Sequence, residues 1–407
     1  MATVKTSIDG VSEPTTLKDA YRAPDFKEWL DSIVIEIEIL QKMETFDLSN
    51  KCPPGVKPVE VTLKFKVKFN ADGSLNKRKS RLVARGFKQI YLKTYSETFA
   101  PASQLDSLRL LVSFAAQYGL KIASIDVVGA FLNASLKEDI WIKFGDDLPI
   151  PELRGTTAKL IKSLYGLKQA ARDWWQLLKT ILEELGVKIV PNSKDPCLYH
   201  VFTSDGIIMI LVHVDDCIIA YSHDSFIDTI KDRISAKYEI TFNEKPDQVL
   251  GLKLHHLPDG GYALSQTRLI DQTIETFGLV DAHPDPTPLN EGTVLVPELS
   301  CDTTLPFLSL LGILMWIMRC TRPEISTAVS IAASFSHCYG ASHFEALKHI
   351  LRYLKGTREF RLVYRKTEGI PHGSTRLSLY TDSDYAVCQL TRRSRTGYLL
   401  LMGNSVI

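Results

Sequence analysis

The amino-acid sequence predicts an α+β protein with more than one domain. Its 407 residues exceed what a single hydrophobic core usually covers. Across residues 61–69 apolar side chains alternate with Thr or Lys, which predicts a strand with one buried face and one cationic face. Across residues 105–118 apolar side chains recur at helical spacing, and Gly119 follows as a stop signal. Strands and helices therefore both contribute to the predicted fold.

The overall composition is that of a folded protein, with 45% hydrophobic and 23% charged residues. The seven Cys form no Cys-x-x-Cys pair, which favours a reducing compartment and offers no zinc-site spacing. The first ten residues lack the apolar core of a signal peptide. The longest apolar run, residues 305–318, contains Pro306 and is too short to cross a bilayer. We therefore expect an intracellular, cytoplasmic protein that does not contact a membrane.

A basic hairpin dominates the N-terminal part of the chain. Residues up to about Pro24 are polar and aperiodic, and a helix with an apolar face follows from Phe26. The strand at 61–69 then turns at residues 70–73 and returns. Between Lys64 and Lys93 the chain has ten Lys or Arg and one acid, a local charge of about +9. A solvated, solubilising face is one interpretation. We favour phosphate binding, because the charges line one side of a regular hairpin in a nearly neutral chain.

Three aspartates follow or interrupt apolar stretches. Asp126 lies within a predicted apolar strand at 121–132, and Asp215 and Asp216 lie in the middle of the apolar run at 207–221, which predicts a tight hairpin. Each alone has a local explanation, since Asp is common in turns and at helix N-caps. Buried like charges, however, need a cationic partner, and a pair of metal ions would supply it. Three carboxylates on adjacent strands could hold two Mg²⁺, which points to nucleotidyl transfer or phosphodiester hydrolysis.

The C-terminal half predicts mostly helices and one further pair of strands. We expect a helix at about 224–238, then a strand and a helix ending near Gly278, and a proline-rich linker from residue 284. Residues 306–356 read as helical. A strand that ends in acidic residues at 377–384 and a second strand at 397–402 complete the pattern.

The sequence resembles the reverse transcriptase of copia-type LTR retrotransposons, from about Trp29 onward. The stretches that carry the resemblance are 79–89 (KSRLVARGFKQ), 97–101 (ETFAP), 125–133 (IDVVGAFLN), 164–170 (LYGLKQA), 214–216 (VDD), 320–323 (CTRP), 351–357 (LRYLKGT) and 380–386 (YTDSDYA). Each is weak alone, but all of them in one order form a specific signal.

The resemblance implies a right-hand polymerase with fingers, palm and thumb. It implies a flexible leader at 1–24, fingers and palm at 25–222, a thumb at 223–283, a linker and mostly helical connection at 284–375, and a truncated ribonuclease H-like hairpin at 376–407. Asp382 matches the first metal-binding Asp of the ribonuclease H domain in that family. The sequence ends about 25 residues later, so we expect no ribonuclease H activity from this chain.

The resemblance also implies a role for each site residue. Asp126, Asp215 and Asp216 would bind two Mg²⁺, or Mn²⁺, for attack of a primer 3′-hydroxyl on a dNTP. Arg81 and Lys79 would grip the triphosphate. The remaining predicted contacts are Phe131 as a gate against a ribose 2′-hydroxyl, and Tyr165, Gly166 and Gln169 against the nascent base pair and template. The implied partners are an RNA and DNA template-primer and dNTPs, with other Pol and Gag products of the element as further candidates.

One departure from the family pattern leaves alternatives open. His213 stands where the family usually has Tyr, and its smaller, titratable ring predicts altered primer placement or pH dependence. An RNA-directed DNA polymerase is the leading hypothesis, supported by the intact aspartates. A catalytically silent nucleic-acid-binding remnant of a decayed element is the second. A phosphodiesterase or nucleotide cyclase is the third, and the basic hairpin and Phe131 disfavour it.

Overall fold

A computed structural model describes residues 13–69, 75–184, 190–191, 194–370, 374–386, 388 and 391–407. Residues 1–12 of the leader predicted at 1–24, and the predicted hairpin turn at 70–73, lie outside these residues. The rest of the predicted leader includes a helix at Leu17–Arg22, whose Ala20 is buried in the core. The helices are α1 (Leu17–Arg22), α2 (Phe26–Lys42), α3 (Leu105–Tyr118), α4 (Ala130–Asn133), α5 (Ala170–Glu184), α6 (Asp224–Ser235), α7 (Thr267–Thr276), α8 (Phe307–Cys320), α9 (Ser326–Ala333) and α10 (Ala341–Gly356).

The strands alternate with these helices along the chain. They are β1 (Phe46–Asp47), β2 (Val59–Phe69), β3 (Leu75–Ala84), β4 (Lys121–Val127), β5 (Trp141–Lys143), β6 (Thr157–Leu160), β7 (Val190–Pro191), β8 (Leu198–Thr203), β9 (Gly206–His213), β10 (Asp216–Tyr221), β11 (Ile240–Asn243), β12 (Gln248–Val249), β13 (Leu252–His256), β14 (Tyr262–Ser265), β15 (Leu362–Tyr364), β16 (Leu377–Ser383), β17 (Thr396–Met402) and β18 (Ser405–Val406). The α+β fold class is confirmed.

The basic hairpin is β2 and β3, and it lies at one edge of a sheet with the order β1-β6-β5-β2-β3, the N-terminal sheet. The predicted alternation is confirmed, because every second residue of β2 from Val59 to Val67 is buried. Helix α2 packs on this buried face through Trp29, Ile33 and Leu40. Burying each such side chain contributes about 1.5–3 kcal/mol. The apolar face therefore meets the helix, and Lys64, Lys66 and Lys68 on the opposite face are exposed.

The central sheet has the strand order β11-β4-β10-β9-β8-β7 and carries the three aspartates. Helix α3 covers one of its faces, and α5 and α6 cover the other. Along β9, Met209 and Leu211 pack toward α3, whereas Ile208 and Ile210 pack toward α5 and α6. Burial on both faces explains why residues 207–213 are apolar without alternation.

A second layer covers the outer side of α3. Strands in the order β12-β13-β14-β15 form the outer sheet, and its apolar side chains share a core with α3 and the central sheet. The hydroxyl of Tyr262 in β14 donates a hydrogen bond to the carbonyl oxygen of Leu120, at 2.8 Å. Helix α3 is therefore held between two sheets.

Helices α7 to α10 pack around one apolar core, which we call the helical bundle. This arrangement corrects the predicted thumb at 223–283. Its first helix, α6, buries Ile227 and Ile230 against the central sheet, and β11 pairs with β4 through Ile240 and Val127. Its last helix, α7, belongs to the bundle. Local periodicity identified these helices but did not indicate which core each one joins.

The proline-rich segment that begins at residue 284 has no helix or strand through residue 306, as the linker prediction expects. It is nevertheless tied to α10. The Asp285 carboxylate accepts a hydrogen bond from Arg352 Nε at 2.6 Å, and His349 Nε2 lies 2.9 Å from the Thr287 carbonyl oxygen. The segment therefore follows the surface of the helical bundle.

The last strands form a sheet of their own, in the order β16-β17-β18. Both predicted strands are present, and Asp382 in β16 pairs with Gly397 in β17. Hydrogen bonds connect α3 to the chain leading into this sheet: Thr367 N–H donates to Gln117 Oε1 at 2.9 Å, and the Tyr118 hydroxyl donates to the Ser374 carbonyl at 3.0 Å. Within the described part of the chain, no helix combines the length and apolar character needed to cross a membrane.

Candidate active site

The three predicted aspartates lie at one end of the central sheet. Asp126 is the penultimate residue of β4, and Asp216, the first residue of β10, is directly opposite it in the antiparallel register. Opposite residues in such a pair direct their side chains to the same face. Asp215 precedes Asp216 in the turn between β9 and β10, where Val214 has a φ of 59°. The register therefore brings Asp126 to the adjacent pair Asp215 and Asp216, which is distant from it in sequence.

The charges of these carboxylates are poorly compensated within the protein. Desolvation, followed by the charge of Asp215, raises the pKa of Asp126, although Lys79, Arg81 and Lys68 lower it in part. Desolvation, then the charges of Asp215 and Asp126, also raises the pKa of Asp216. Their side chains still reach solvent. A further cation at this end of the sheet would therefore be bound favourably.

The donor chemistry suits a hard divalent cation, but the ligand spacing does not form a finished site. Carboxylate oxygens are the ligands that Mg²⁺ and Mn²⁺ prefer. Among the residues that the structure describes, however, no group of three or more His, Cys, Asp or Glu is spaced to hold a metal ion. Mutual repulsion opposes close approach of Asp126, Asp215 and Asp216. These residues fit such an ion by charge and by donor type, and would have to draw together around it.

The hairpin carries a cationic face, and three of its cations, Lys68, Lys79 and Arg81, lie near enough to Asp126 to lower the pKa of its carboxyl group in part. We use the name cationic face for Lys64, Lys66, Lys68, Lys77, Lys79 and Arg81. The β2–β3 register places them in three like-charged cross-strand pairs: Lys64 with Arg81, Lys66 with Lys79, and Lys68 with Lys77. Like charges directly opposite each other destabilise a sheet. Lys66 is paired with Glu13, with Nζ and Oε1 3.1 Å apart, and the three successive like-charged pairs indicate that the face is suited to a further anionic ligand.

Three of the predicted substrate contacts meet between the hairpin and the central sheet. The guanidinium carbon of Arg81 lies 4.6 Å from the centre of the Tyr165 ring, and that ring lies 5.4 Å from the ring of Phe131. Burial raises the pKa of Tyr165 to about 12, so its hydroxyl stays protonated. Arg81 Nε is buried with no hydrogen-bond partner among the described residues. Arg81 therefore retains an unused donor beside two aromatic rings.

Gly166 allows the loop at 164–168 to lie directly on the end of the hairpin. The carbonyl oxygen of Tyr165 accepts a hydrogen bond from the Ala84 N–H at 2.7 Å. Gly166 has a φ of 87°, and a Cβ there would collide with the Ala84 carbonyl oxygen. A residue with a side chain would be strained in this backbone conformation and would push the loop away.

Glu36 lies close to Lys79 and Arg81, and the sequence pattern did not single it out as a neighbour of the site. It is buried in α2 and accepts a hydrogen bond from the Leu82 N–H at 3.0 Å. Burial raises its pKa, while Lys79 and Arg81 lower it in part. The available signal was its position, because Glu36 lies three residues after Ile33 on the apolar side of the helix.

Comparisons with known proteins agree with this geometry. Residues 43–291, more than half of the chain, match the family described as reverse transcriptase (RNA-dependent DNA polymerase). The chain belongs to the reverse transcriptase family.

The relatives of this reverse transcriptase include transposon proteins of plants and yeast. It is 32% identical over 406 residues to the retrovirus-related Pol polyprotein from transposon TNT 1-94 of Nicotiana tabacum. The matched region covers 97% of this chain and 30% of that protein. It is 31% identical over 403 residues to the retrovirus-related Pol polyprotein from transposon RE1 of Arabidopsis thaliana, and the matched region covers 98% of this chain and 27% of that protein. A putative transposon Ty5-1 protein of Saccharomyces cerevisiae is 30% identical to it over 289 residues, and the matched region covers 70% of this chain and 90% of that protein.

These relatives confirm the resemblance to copia-type retrotransposons. The chain spans less than a third of the length of the two plant Pol polyproteins. A solved structure of the foamy viral protease-reverse transcriptase in complex with double-stranded DNA covers 93% of this chain and 55% of its own, at 12% identity and a TM-score of 0.46. That similarity is too low to carry an argument.

Two predicted contacts of the reverse transcriptase have their side chains occupied by the protein. Gln169 is 1% exposed. Its amide donates to the Thr94 carbonyl at 3.0 Å and accepts from Gln89 Nε2 at 3.0 Å. The side chain therefore ties the loop at 86–95 to the start of α5, and its contact with the template stays a prediction. His213 is half-buried, and its Nδ1 lies 2.9 Å from Ser103 Oγ.

Proposed function

We propose that this reverse transcriptase is an RNA-directed DNA polymerase that adds dNTPs to a primer 3′-hydroxyl by two-metal nucleotidyl transfer. One observation carries the proposal. Cations of the hairpin's like-charged pairs lie close to a group of carboxylates in which burial and mutual repulsion raise the pKa values of Asp126 and Asp216. A polyanion and a divalent cation together would satisfy both groups.

Asp126, Asp215 and Asp216 are the proposed ligands of two Mg²⁺ or Mn²⁺ ions. Bound there, the ions would activate the 3′-hydroxyl and stabilise the charge that develops on the leaving pyrophosphate. All three aspartates would contribute carboxylate oxygens to the ions. The raised pKa values of Asp126 and Asp216 support this assignment, because desolvation and mutual repulsion favour binding of a cation.

The remaining residues would bind and select the nucleotide. Arg81 offers its guanidinium and Lys79 its ammonium group to the triphosphate, and burial lowers the pKa of Lys79, so it is sensitive to a nearby anion. Phe131 lies against Tyr165, where its ring would exclude a ribose 2′-hydroxyl. Tyr165 and Gly166 would lie against the nascent base pair.

The template-primer would follow the cationic face. Arg and Lys contacts to phosphate supply affinity without sequence preference, as a polymerase requires. The relatives are Pol polyproteins, so we also propose that this chain acts alongside other Pol and Gag products of the same element.

The test is incorporation of dNTPs on an RNA template with a DNA primer in Mg²⁺ or Mn²⁺, with the wild type compared with Asp215→Asn. We expect a loss of roughly 10³-fold or more in rate, about 4 kcal/mol of barrier, while template-primer binding is retained. The matched control is Asp205→Asn. Asp205 is exposed in the turn at the other end of β9, and its change should leave the rate within about twofold.

Three outcomes separate the hypotheses. Incorporation that depends on Asp215 but not on Asp205 supports the polymerase. Equal incorporation by wild type and Asp215→Asn refutes the site assignment. Template-primer binding without incorporation by either protein favours the catalytically silent, nucleic-acid-binding remnant.

A further inference from the structure

The turn that carries Asp215 has a backbone conformation that its own residue does not favour. Val214 has a φ of 59°, in the left-handed region, where a β-branched side chain is strongly disfavoured. Val214 is also 37% exposed, so its side chain gains little from packing. Pairing of His213 with Asp216 closes this two-residue turn and favours the conformation, and a further contact holds the backbone of the turn.

That contact comes from Trp174 in α5. Its indole Nε1 donates a hydrogen bond to the carbonyl oxygen of Val214, with the two atoms 2.5 Å apart. This carbonyl belongs to the peptide that joins Val214 to Asp215. The hydrogen bond therefore acts on the peptide unit that sets the direction of the Asp215 side chain.

The indole is itself rigidly placed. Trp174 is 1% exposed and belongs to the core formed by α5, α6 and the central sheet. That core includes Ile125 and Val127, which flank Asp126 in β4, and Cys217, which follows Asp216. One side chain thus packs beneath the strands that carry two of the carboxylates and donates a hydrogen bond to the turn that carries the third.

The neighbouring anchors do not duplicate this contact. Ser103 is hydrogen-bonded to the ring of His213, and the Val212 N–H donates to the Cys197 carbonyl. Both hold the end of β9 before the turn begins. Neither acts on the peptide between Val214 and Asp215.

We propose that Trp174 is a positioning residue for Asp215, holding the left-handed turn so that the Asp215 carboxylate lies beside Asp126. The inference rests on the proposed function in one respect, that Asp215 is a metal ligand. Without the indole N–H, Val214 relaxes toward a negative φ and the carboxylate turns away. Trp174 does not touch a reacting group in this proposal.

The experiment measures Mn²⁺ affinity of the full chain by electron paramagnetic resonance, and dNTP incorporation in parallel. Trp174→Phe retains an aromatic ring and removes the donor. We expect Mn²⁺ binding to weaken by about tenfold, equivalent to about 1.4 kcal/mol. The rate of incorporation should fall by a similar factor, with the KM for dNTP nearly unchanged.

Two further variants separate positioning from loss of packing. Glycine adopts a positive φ without strain, so Trp174→Phe should have little effect on Mn²⁺ affinity in a Val214→Gly background. The matched control is Trp141→Phe. Trp141 is also buried, and its Nε1 has no hydrogen-bond partner among the described residues, so the substitution removes no such contact and should leave Mn²⁺ affinity within about twofold.

The outcomes distinguish this inference from the proposed function. Unchanged Mn²⁺ affinity in Trp174→Phe, when Asp215→Asn does weaken binding, overturns the inference alone. An equal loss in Trp174→Phe with and without Val214→Gly also overturns it, since the effect would then be one of packing. If Asp215→Asn binds Mn²⁺ and incorporates dNTPs as the wild type does, both proposals fail.

Discussion

The cationic face and the three carboxylates differ in how their charges are distributed: those of the hairpin are spread along two strands, and those of the central sheet are concentrated at one end. The hairpin spreads six cations along one side of β2 and β3, and its other side is an ordinary apolar face. The central sheet is buried on both faces, and it concentrates three carboxylates at one strand end. Spread charges suit a long polyanion, for which each contact adds a little affinity. Concentrated charges suit a small cation, for which the loss of one ligand removes the site.

Asp126→Asn should have the largest effect, because it removes a ligand from the concentrated group. We expect incorporation to fall by roughly 10³-fold or more. The free energy of unfolding should rise, because the pKa of Asp126 is raised in the folded protein and its ionised form is therefore destabilising at neutral pH. Urea unfolding and primer extension measure the two effects. A loss of stability together with activity would show that Asp126 is a structural residue.

Arg81→Ala should have an intermediate effect, because it removes one cation from the spread group. We expect the KM for dNTP to rise by about 10-fold to 100-fold, the loss of one or two charge-assisted hydrogen bonds, with a smaller change in kcat. Lys64→Ala is the matched control on the same face, because Lys64 is exposed and lies directly opposite Arg81. It should weaken template-primer binding and reduce its salt dependence without a comparable change in the KM for dNTP. Equal effects of the two substitutions on that KM would refute the role of Arg81.

Glu36→Gln should have the smallest effect, and the quantity that it changes should be the free energy of unfolding. Glutamine can still accept the hydrogen bond from the Leu82 N–H, but it has no charge to desolvate. Because burial raises the pKa of Glu36 above its ordinary value of 4.5, the wild type loses stability as the pH rises from that value through the raised pKa. The variant should not show this loss, so it should be more stable than the wild type at pH 7. Urea unfolding from pH 4 to pH 8 measures the difference, and a less stable variant at pH 7 would contradict it.

Much of the local structure could be predicted from the sequence. Helix α3 spans the predicted residues, and Gly119 ends it with a φ of 66°. The alternation in β2 identified both the buried and the cationic face. Asp126 and Asp216 lie in strands, but the strand predicted at 121–132 ends at Val127, and residues 130–133 form α4 instead. Family motifs added the expected grouping of Arg81, Phe131 and Tyr165, which the structure brings together.

Tertiary structure decided the rest. The sequence alone determined which segments are strands and helices and which of their faces are apolar, because side-chain periodicity acts within one element. It did not determine that Asp216 lies opposite Asp126, that α6 joins the central sheet while α7 joins the helical bundle, or that Gln169 is buried. It also did not reveal the hydrogen bond from Trp174 to Val214. Each of these depends on contacts between segments far apart in the chain, and such contacts leave no periodic pattern in the sequence.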